Sequence, residues 1–292
     1  KYLKKSLANV RNGRLHPSYR QIGGPTGRMG CPDVTLQAIP GSLVDLHYHP
    51  PKGHTILIAD LPAIEMRIAS IIAEDEVLIE CFRTGRCPHK MMASRITGIP
   101  ESEIGKKSPE RQKAKSANFG FLFGMGSKTF RENALADGVE FTKEEAIEFR
   151  RVFFEMYPGI ELWHRDIGLQ LRESTEKIYI KKYKKIEPAI RVRTISGRVM
   201  KAAGYCAALN YAVQGSGADM LKLATIKVGR ELRAKALQTK IIHLVHDDIR
   251  LLCPDSEVEQ VVGILNSCMG LVADQMMPKF STLPEITRIP SK

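Results

Sequence analysis

Aromatic residues are scarce in this 292-residue sequence: they make up 7%, with a single tryptophan, Trp163. That scarcity does not separate an enzyme from a binding protein. No run approaches the roughly 18 consecutive apolar residues of a membrane-spanning helix, so neither a span nor a membrane partner is expected. The six cysteines (Cys31, Cys81, Cys87, Cys206, Cys253 and Cys268) form no C-x-x-C pair, which argues against a structural zinc site. Their scatter points to free thiols in a reducing, intracellular compartment, the cytoplasm. No signal peptide is expected, and the sequence shows no internal repeat and no low-complexity tract. The chain begins at Lys1, inside the basic stretch Lys1-Tyr2-Leu3-Lys4-Lys5, as expected of a piece of a longer protein. Acids are outnumbered, 32 against 44 Lys and Arg, for a net charge of +12. Such a surplus favours polyanionic partners: nucleic acid, nucleotides or an anionic membrane. The hydrophobic share of 43% is enough for a packed core in one large domain or two ordinary ones.

Turn formers crowd residues 1–50, which read as short strands and loops. Thr55-Ile56-Leu57-Ile58-Ala59 is a short apolar run typical of a buried strand, and Asp60 ends it. Pro62 suits a first helical turn, and Ile64, Ile68, Ile71 and Ile72 share one helical face. From about 64 to 190 the pattern is helical with short breaks. It includes a basic segment, Lys106 to Phe123, and a helix from Thr142 to Met156. Thr142 with Glu145 three residues on forms a capping-box signature, and Tyr157-Pro158-Gly159 stops that helix. Leu209 to Leu232 reads as a long helix. Ile241 to Val245 reads as a second buried strand that bends through His246-Asp247-Asp248 into Ile249-Arg250-Leu251-Leu252, a hairpin. Val258, Val261, Val262, Leu265, Met269 and Val272 recur at helical spacing. The order implies a helical insertion between two parts of one sheet-based domain.

Asp60 and Asp247 each stand at the end of a buried strand, where a side chain is held rigidly. Carboxylates brought together repel and need cations between them. Hard oxygen donors suit Mg²⁺, and two such ions clamp the attacking and leaving oxygens of phosphoryl transfer. Each aspartate alone also suits a plain strand-ending turn. Arg111, Lys115, Phe119 and Phe123 are spaced by four, so they drift only about 40° per step around a helix. Two cations followed by two aromatics can hold a triphosphate and stack on a base, and the same spacing also fits a solvated basic face running into core. His246 and His89 suit either a phosphate contact or an ordinary turn position.

Several segments resemble, in order, the motifs of DNA polymerase family A, the bacterial polymerase I type. Thr26-Gly27-Arg28 and Leu36-Gln37-Ala38-Ile39-Pro40 resemble its T-G-R and L-Q-N-I-P elements. Asp60 to Arg67 resembles motif A, and Arg111 to Gly124 resembles motif B. Leu209-Asn210 and Val213-Gln214-Gly215 resemble its F-N and V-Q-G elements, and His246-Asp247-Asp248 resembles motif C. The resemblance covers nearly the whole chain. It implies an α+β, right-hand polymerase fold, an antiparallel-sheet palm with a helical fingers insertion. The palm would hold residues 1–70 and 195–292, the fingers 71–194, and residues 1–12 the remnant of a thumb helix.

The resemblance also implies roles. Asp60 and Asp247 would hold two magnesium ions and, with Lys115, form the catalytic set. Glu65 would exclude a 2′-hydroxyl. His89, Arg111 and Lys115 would grip the triphosphate, Phe119 would stack on the incoming base, and Phe123 would stand beside it. Arg28, Gln37, Asn210, Gln214 and His246 would contact primer or template. The partners implied are a primed DNA template and deoxynucleoside triphosphates, the chain acting as a monomer whose thumb and exonuclease domains lie outside this sequence. Departures fall at Leu61, Ala63, Phe123, Asp248 and Ala38, in place of an aromatic, Gln, Tyr, Glu and Asn; the first three bear on fidelity and sugar selection. One alternative is a single-subunit RNA polymerase, against which Glu65 and the His246-Asp247-Asp248 triplet speak. Another is an idle DNA-binding relative, against which the retention of Asp60 and Asp247 speaks.

Overall fold

The structure is a computed structural model that describes residues 8–32, 34, 36–38, 48–181 and 183–291. The chain divides into two compact units, one of residues 1–64 and 214–292, the other of residues 65–213.

The first unit opens with a hairpin, β1 (Val10–Arg11) and β2 (Arg14–Leu15), paired antiparallel across Asn12-Gly13. Both turn residues have positive φ, 51° and 71°, which is the backbone that a two-residue hairpin favours and Asn-Gly supplies. Of the expected thumb helix over 1–12, residues 1–7 lie outside the described residues, and 10–11 are strand. The main sheet runs β7-β8-β3-β9, with every neighbour antiparallel. Its strands are β3 (His54–Asp60), β7 (Lys240–Val245), β8 (Asp248–Pro254) and β9 (Glu285–Pro290). In β3 and β8, Thr55, Leu57, Ala59, Ile249, Leu251 and Cys253 are buried and form the core face. Helix α9 (Val258–Met276) packs on β8 and buries Val261, Leu265, Met269 and Val272 at helical spacing. Removing each such side chain from water contributes about 1.5–3 kcal/mol. The opposite face of β3 and β8 carries Ile58, Asp60, Asp248 and Arg250, because side chains alternate along a strand.

The second unit holds helices α1 (Ile64–Ile72, whose first residue belongs to the other unit), α2 (Glu76–Arg83), α3 (Pro88–Thr97), α4 (Pro109–Leu122), α5 (Ser127–Ala136), α6 (Lys143–Met156) and α7 (Pro158–Glu173). Nine of the ten phenylalanines fall in it. Phe121, Phe130, Phe141 and Phe149 form a chain of ring contacts with centroids 4.5, 4.7 and 5.2 Å apart, and Phe153 joins Phe121 at 6.0 Å. The scarce aromatics are therefore concentrated beneath α4. Thr142 and Glu145 make the reciprocal capping box expected of them. Asp75 caps two helices at once. Its carboxylate accepts from Leu78 N–H at 2.9 Å in α2, and from Gly159 and Ile160 N–H at 2.8 and 3.2 Å at the start of α7. A Cβ on Gly159 would lie 2.7 Å from the Asp75 Cα, so only glycine permits that approach.

The expected helical stretch to 190 ends earlier, at Glu173. Strands β4 (Lys177–Ile180), β5 (Lys185–Arg193) and β6 (Val199–Ala203) follow as a second antiparallel sheet. The reason is a period of two: Ile190, Val192, Met200 and Ala202 are buried while Arg191, Arg193 and Lys201 point out. These residues pack with Ile167 and Leu171 of α7 and with Ala208, Leu209 and Ala212 of α8 (Tyr205–Ala234). This cluster lies in the unit of residues 65–213, whose bounds differ from the 71–194 expected of the fingers. Among the described residues all six cysteines are free, and no helix is long and apolar enough to cross a membrane.

Candidate active site

The acids come first. In the β3–β8 register Asp60 pairs directly with Asp248, and Asp247 sits one residue earlier in the two-residue turn that joins β7 to β8. Asp60 also pairs with Glu285 of β9, so acids occupy one row across three strands. Like charges facing across a ladder destabilise it. Arg250, two residues along β8 and on the same face, offsets this. Its guanidinium donates to both carboxylate oxygens of Asp248, Nε to Oδ1 at 3.0 Å and Nη2 to Oδ2 at 2.8 Å. The pair is nearly enclosed, at 10% and 13% side-chain exposure. Arg250 thus takes up Asp248, next to which stand Asp60 and Asp247, the expected metal ligands. His246 holds the turn at φ +51°, a left-handed conformation uncommon outside glycine.

A buried polar layer supports this turn. The Arg250 guanidinium lies 5.0 Å over the Tyr48 ring, and the Tyr48 hydroxyl bonds His243 Nδ1. Burial pushes the Tyr48 hydroxyl up. Burial, then Arg250, pushes His243 down to about 4, so it is neutral. Tyr19 O–H donates to the Leu244 carbonyl at 3.4 Å and accepts its N–H at 3.2 Å. Gln37, expected at the DNA, directs its amide N–H groups to backbone carbonyls, Met29 at 3.3 Å and Leu244 at 3.1 Å, and accepts from Cys31 N–H at 3.1 Å. It braces the β7 strand that leads into the acid turn.

In the second unit α4 presents the basic segment. Ser108 caps it by accepting from Arg111 N–H, and Pro109 occupies its first turn. The helix ends at Leu122, so Phe123 is its C-cap rather than a fourth helical position. Gly124 follows at φ +78°; a Cβ there would lie 2.7 Å from the Tyr205 ring. Arg111 donates to the Lys106 carbonyl at 2.8 Å. Lys115 is exposed, and Phe119 is half-buried with its ring 5.8 Å from His89. Lys115 and Phe119 border a cavity of about 420 Å³ between α4 and α5. His89 itself is 4% exposed. Burial, then Arg111, then Lys115 push it down to about 3, so it is neutral and close to both cations. Asn118 Nδ2–H donates to His89 Nδ1 at 2.9 Å, which leaves the ring proton on Nε2.

The remaining expected residues are dispersed. Glu65 is half-buried in the first turn of α1, just after Ala63, which adopts φ +52°. Asn210 and Gln214 stand four apart, one helical turn, on α8. Arg28 is half-buried beside Gly27, whose carbonyl accepts from Lys222 Nζ at 2.7 Å. His246 is exposed. Arg250, Glu285, Tyr48 and Asn118 were not singled out by sequence. Arg250 and Glu285 become visible only once the strand register is known.

The model for DNA polymerase family A matches residues 1–280. The chain belongs to DNA polymerase family A. Its family A relatives include DNA polymerase I of Aquifex aeolicus (strain VF5), 34% identical over 268 residues, covering 91% of this chain and 44% of that protein. DNA polymerase I of Caldicellulosiruptor bescii is 34% identical over 270 residues, covering 88% of this chain and 30% of that protein. The chain therefore spans less than half the length of these relatives. Among solved structures, the POL domain of Pol1 from M. smegmatis, in complex with DNA primer-template and dNTP, matches with TM-score 0.78 and 25% identity over 99% of this chain and 50% of that one. Mixed helix and antiparallel sheet here form the right-hand polymerase fold implied by the motifs.

Proposed function

We propose that this chain is the palm-and-fingers part of a template-directed DNA polymerase that adds deoxynucleotides to a primer 3′-hydroxyl and releases pyrophosphate. The observation that carries the reading is the β3–β8 register. It faces Asp60 to Asp248 beside Asp247 while Arg250 occupies Asp248. Two hard-oxygen carboxylates, Asp60 at the end of β3 and Asp247 in the β7–β8 turn, fit magnesium, which one or two carboxylates plus substrate phosphates commonly hold. Asp60 and Asp247 would hold the two ions, which when bound supply charge stabilisation for the attacking and leaving oxygens.

The chain's own groups do the rest. Arg111 as a fork and Lys115 as a point charge bind the triphosphate. His89 adds a neutral Nε2–H donor whose orientation Asn118 fixes. Because burial keeps His89 neutral, this donor does not change over the working pH range. Phe119 stacks on the incoming base without reading its identity. Glu65 excludes a 2′-hydroxyl. Arg28, Asn210, Gln214 and His246 contact primer or template, and Gln37 supports them by holding β7.

Primer extension with Mg²⁺ and either deoxy- or ribonucleotides tests this, beside Asp60→Asn and Asp247→Asn. Extension with deoxynucleotides that both substitutions abolish is expected. Equal use of ribonucleotides refutes Glu65 as the sugar gate and returns the RNA-polymerase reading. Undiminished extension by either variant refutes the two-carboxylate centre.

A further inference from the structure

A groove of about 580 Å³ lies between the C-terminal half of α8 and α9, within the unit that carries the acid row. It is on the far side of the sheet from the acids. Helix α9 packs on the core face of β8, whereas Asp60 and Asp248 stand on the opposite face. The α9 residues Gln260, Gly263, Ser267 and Leu271 that line the groove are exposed, so it opens away from the sheet.

Lys227 and Arg230 on α8, with Lys235 just past its end, form one wall. Among the described residues none of these three side chains forms an ion pair. Glu231 interrupts the row of cations. The floor is apolar: Ile264 and Cys268 are buried, and Leu271 is 47% exposed. Leu223, one turn before Lys227 on the same stripe of α8, is 44% exposed. A Cβ on Gly263 would meet nothing within 4 Å, so α9 leaves room there for another backbone to approach.

This mixture selects the occupant. Three cations without partners suit carboxylates. Exposed leucines beside them suit an apolar side chain that both would remove from water. A phosphate backbone would set its charge against Glu231 and leave Leu223 and Leu271 in water. A second copy of this chain, itself at +12, brings the wrong sign to a basic groove. From Lys227 to Lys235 is about 12 Å along a helix axis, roughly two turns of a helix laid in the groove. We propose that this groove docks an acidic amphipathic helix of a partner protein, with carboxylates on Lys227, Arg230 and Lys235 and an apolar side chain against Leu271. A partner held there leaves the acid row open, and the proposal stands independently of the polymerase reading.

The test is fluorescence anisotropy of the full chain with a labelled peptide of about four helical turns. The peptide carries glutamates on one helical stripe and leucines on the next, and a scrambled peptide of the same composition is the control. Leu271→Lys removes the apolar contact while adding positive charge, and Arg230→Gln with Lys235→Gln removes charge alone; all three positions are exposed. Leu271→Lys is expected to weaken the patterned peptide about tenfold, although electrostatics alone would tighten it. The double Gln variant should weaken it about threefold to tenfold and flatten its salt dependence. Saturating peptide should leave DNA binding unchanged. Equal binding of the scrambled peptide, or undiminished binding by Leu271→Lys, overturns the site in favour of a diffuse basic surface. Displacement of the peptide by oligothymidylate or duplex DNA overturns it in favour of a nucleic-acid surface. A dimer in sedimentation that Leu271→Lys dissolves overturns it in favour of self-association, and absence of saturable binding by the patterned peptide overturns it outright.

Discussion

Replacing Asp75 with alanine is expected to destabilise the unit of residues 65–213 by about 3–4 kcal/mol. An ordinary N-cap contributes about 1 kcal/mol. Asp75 is 1% exposed and its carboxylate serves three N–H groups in two helices. Hydrogen bonds to a charged acceptor contribute about 1.5–3 kcal/mol each, which would sum to well above the expected value. Part is offset, because burial pushes the Asp75 carboxyl up and only its N–H bonds work against that. The net is therefore placed between one cap and three full bonds. Asn at this position keeps one acceptor oxygen and is expected to lose about half as much. Trp163 lies on α7 and packs against the cluster that joins α7, β5, β6 and α8. Its fluorescence during urea unfolding therefore reports this unit alone, and the midpoint should fall with an unchanged m-value. Ser108→Ala, which removes the single cap of α4, is the control. If Asp75→Ala loses no more than Ser108→Ala, the double-capping argument is wrong.

Arg250→Met should cost about 3–5 kcal/mol in thermal or urea unfolding, because it leaves the Asp248 carboxylate unpaired opposite Asp60. Adding Asp248→Asn should recover most of that loss; no recovery would show that Arg250 acts by packing alone. Acid should destabilise the 65–213 unit in a window set by its buried histidines. His89 and His164 are pushed down to about 3 and about 4, against about 6.5 unfolded. Their contribution is complete above about pH 6.5 and is lost as pH falls toward the folded values, by up to about 1.4 kcal/mol per pH unit for each histidine. The urea midpoint read by Trp163 should drop between pH 6 and 4.5; a flat profile would mean that both rings take up protons in the folded state.

Much of the site was legible because the strands that carry it are unambiguous. Ile56-Leu57-Ile58 and Ile241 to Val245 are apolar runs followed by polar residues, so Asp60 and Asp247 fall at or just past their ends by inspection. The order of the motifs carried the family and the fold. Other features depend on partners distant in sequence. Gln37 reaches Leu244 across 207 residues, and nothing local separates such a brace from a DNA contact. The pairing of Arg250 with Asp248 follows from strand alternation, yet it matters only because the β3 register sets Asp60 opposite. Strand β4 and most of β5 fell within the stretch to 190 expected to be helical, because a period of two over so few residues is easily taken for a helical stripe. The Asn12-Gly13 hairpin was legible and went unread amid the surrounding turn formers.

The two acids differ in how firmly they are mounted. Asp60 closes a strand bonded on both flanks, to β8 and to β9. Asp247 rides a two-residue turn whose first member, His246, already sits at φ +51°. One carboxylate is thus mounted on a strand held from both sides and the other on a turn. If Asp60 and Asp247 hold the ions as proposed, a change at residue 246 would shift one carboxylate and leave the other in place. Changes in β3 would loosen the sheet before they moved the carboxylate.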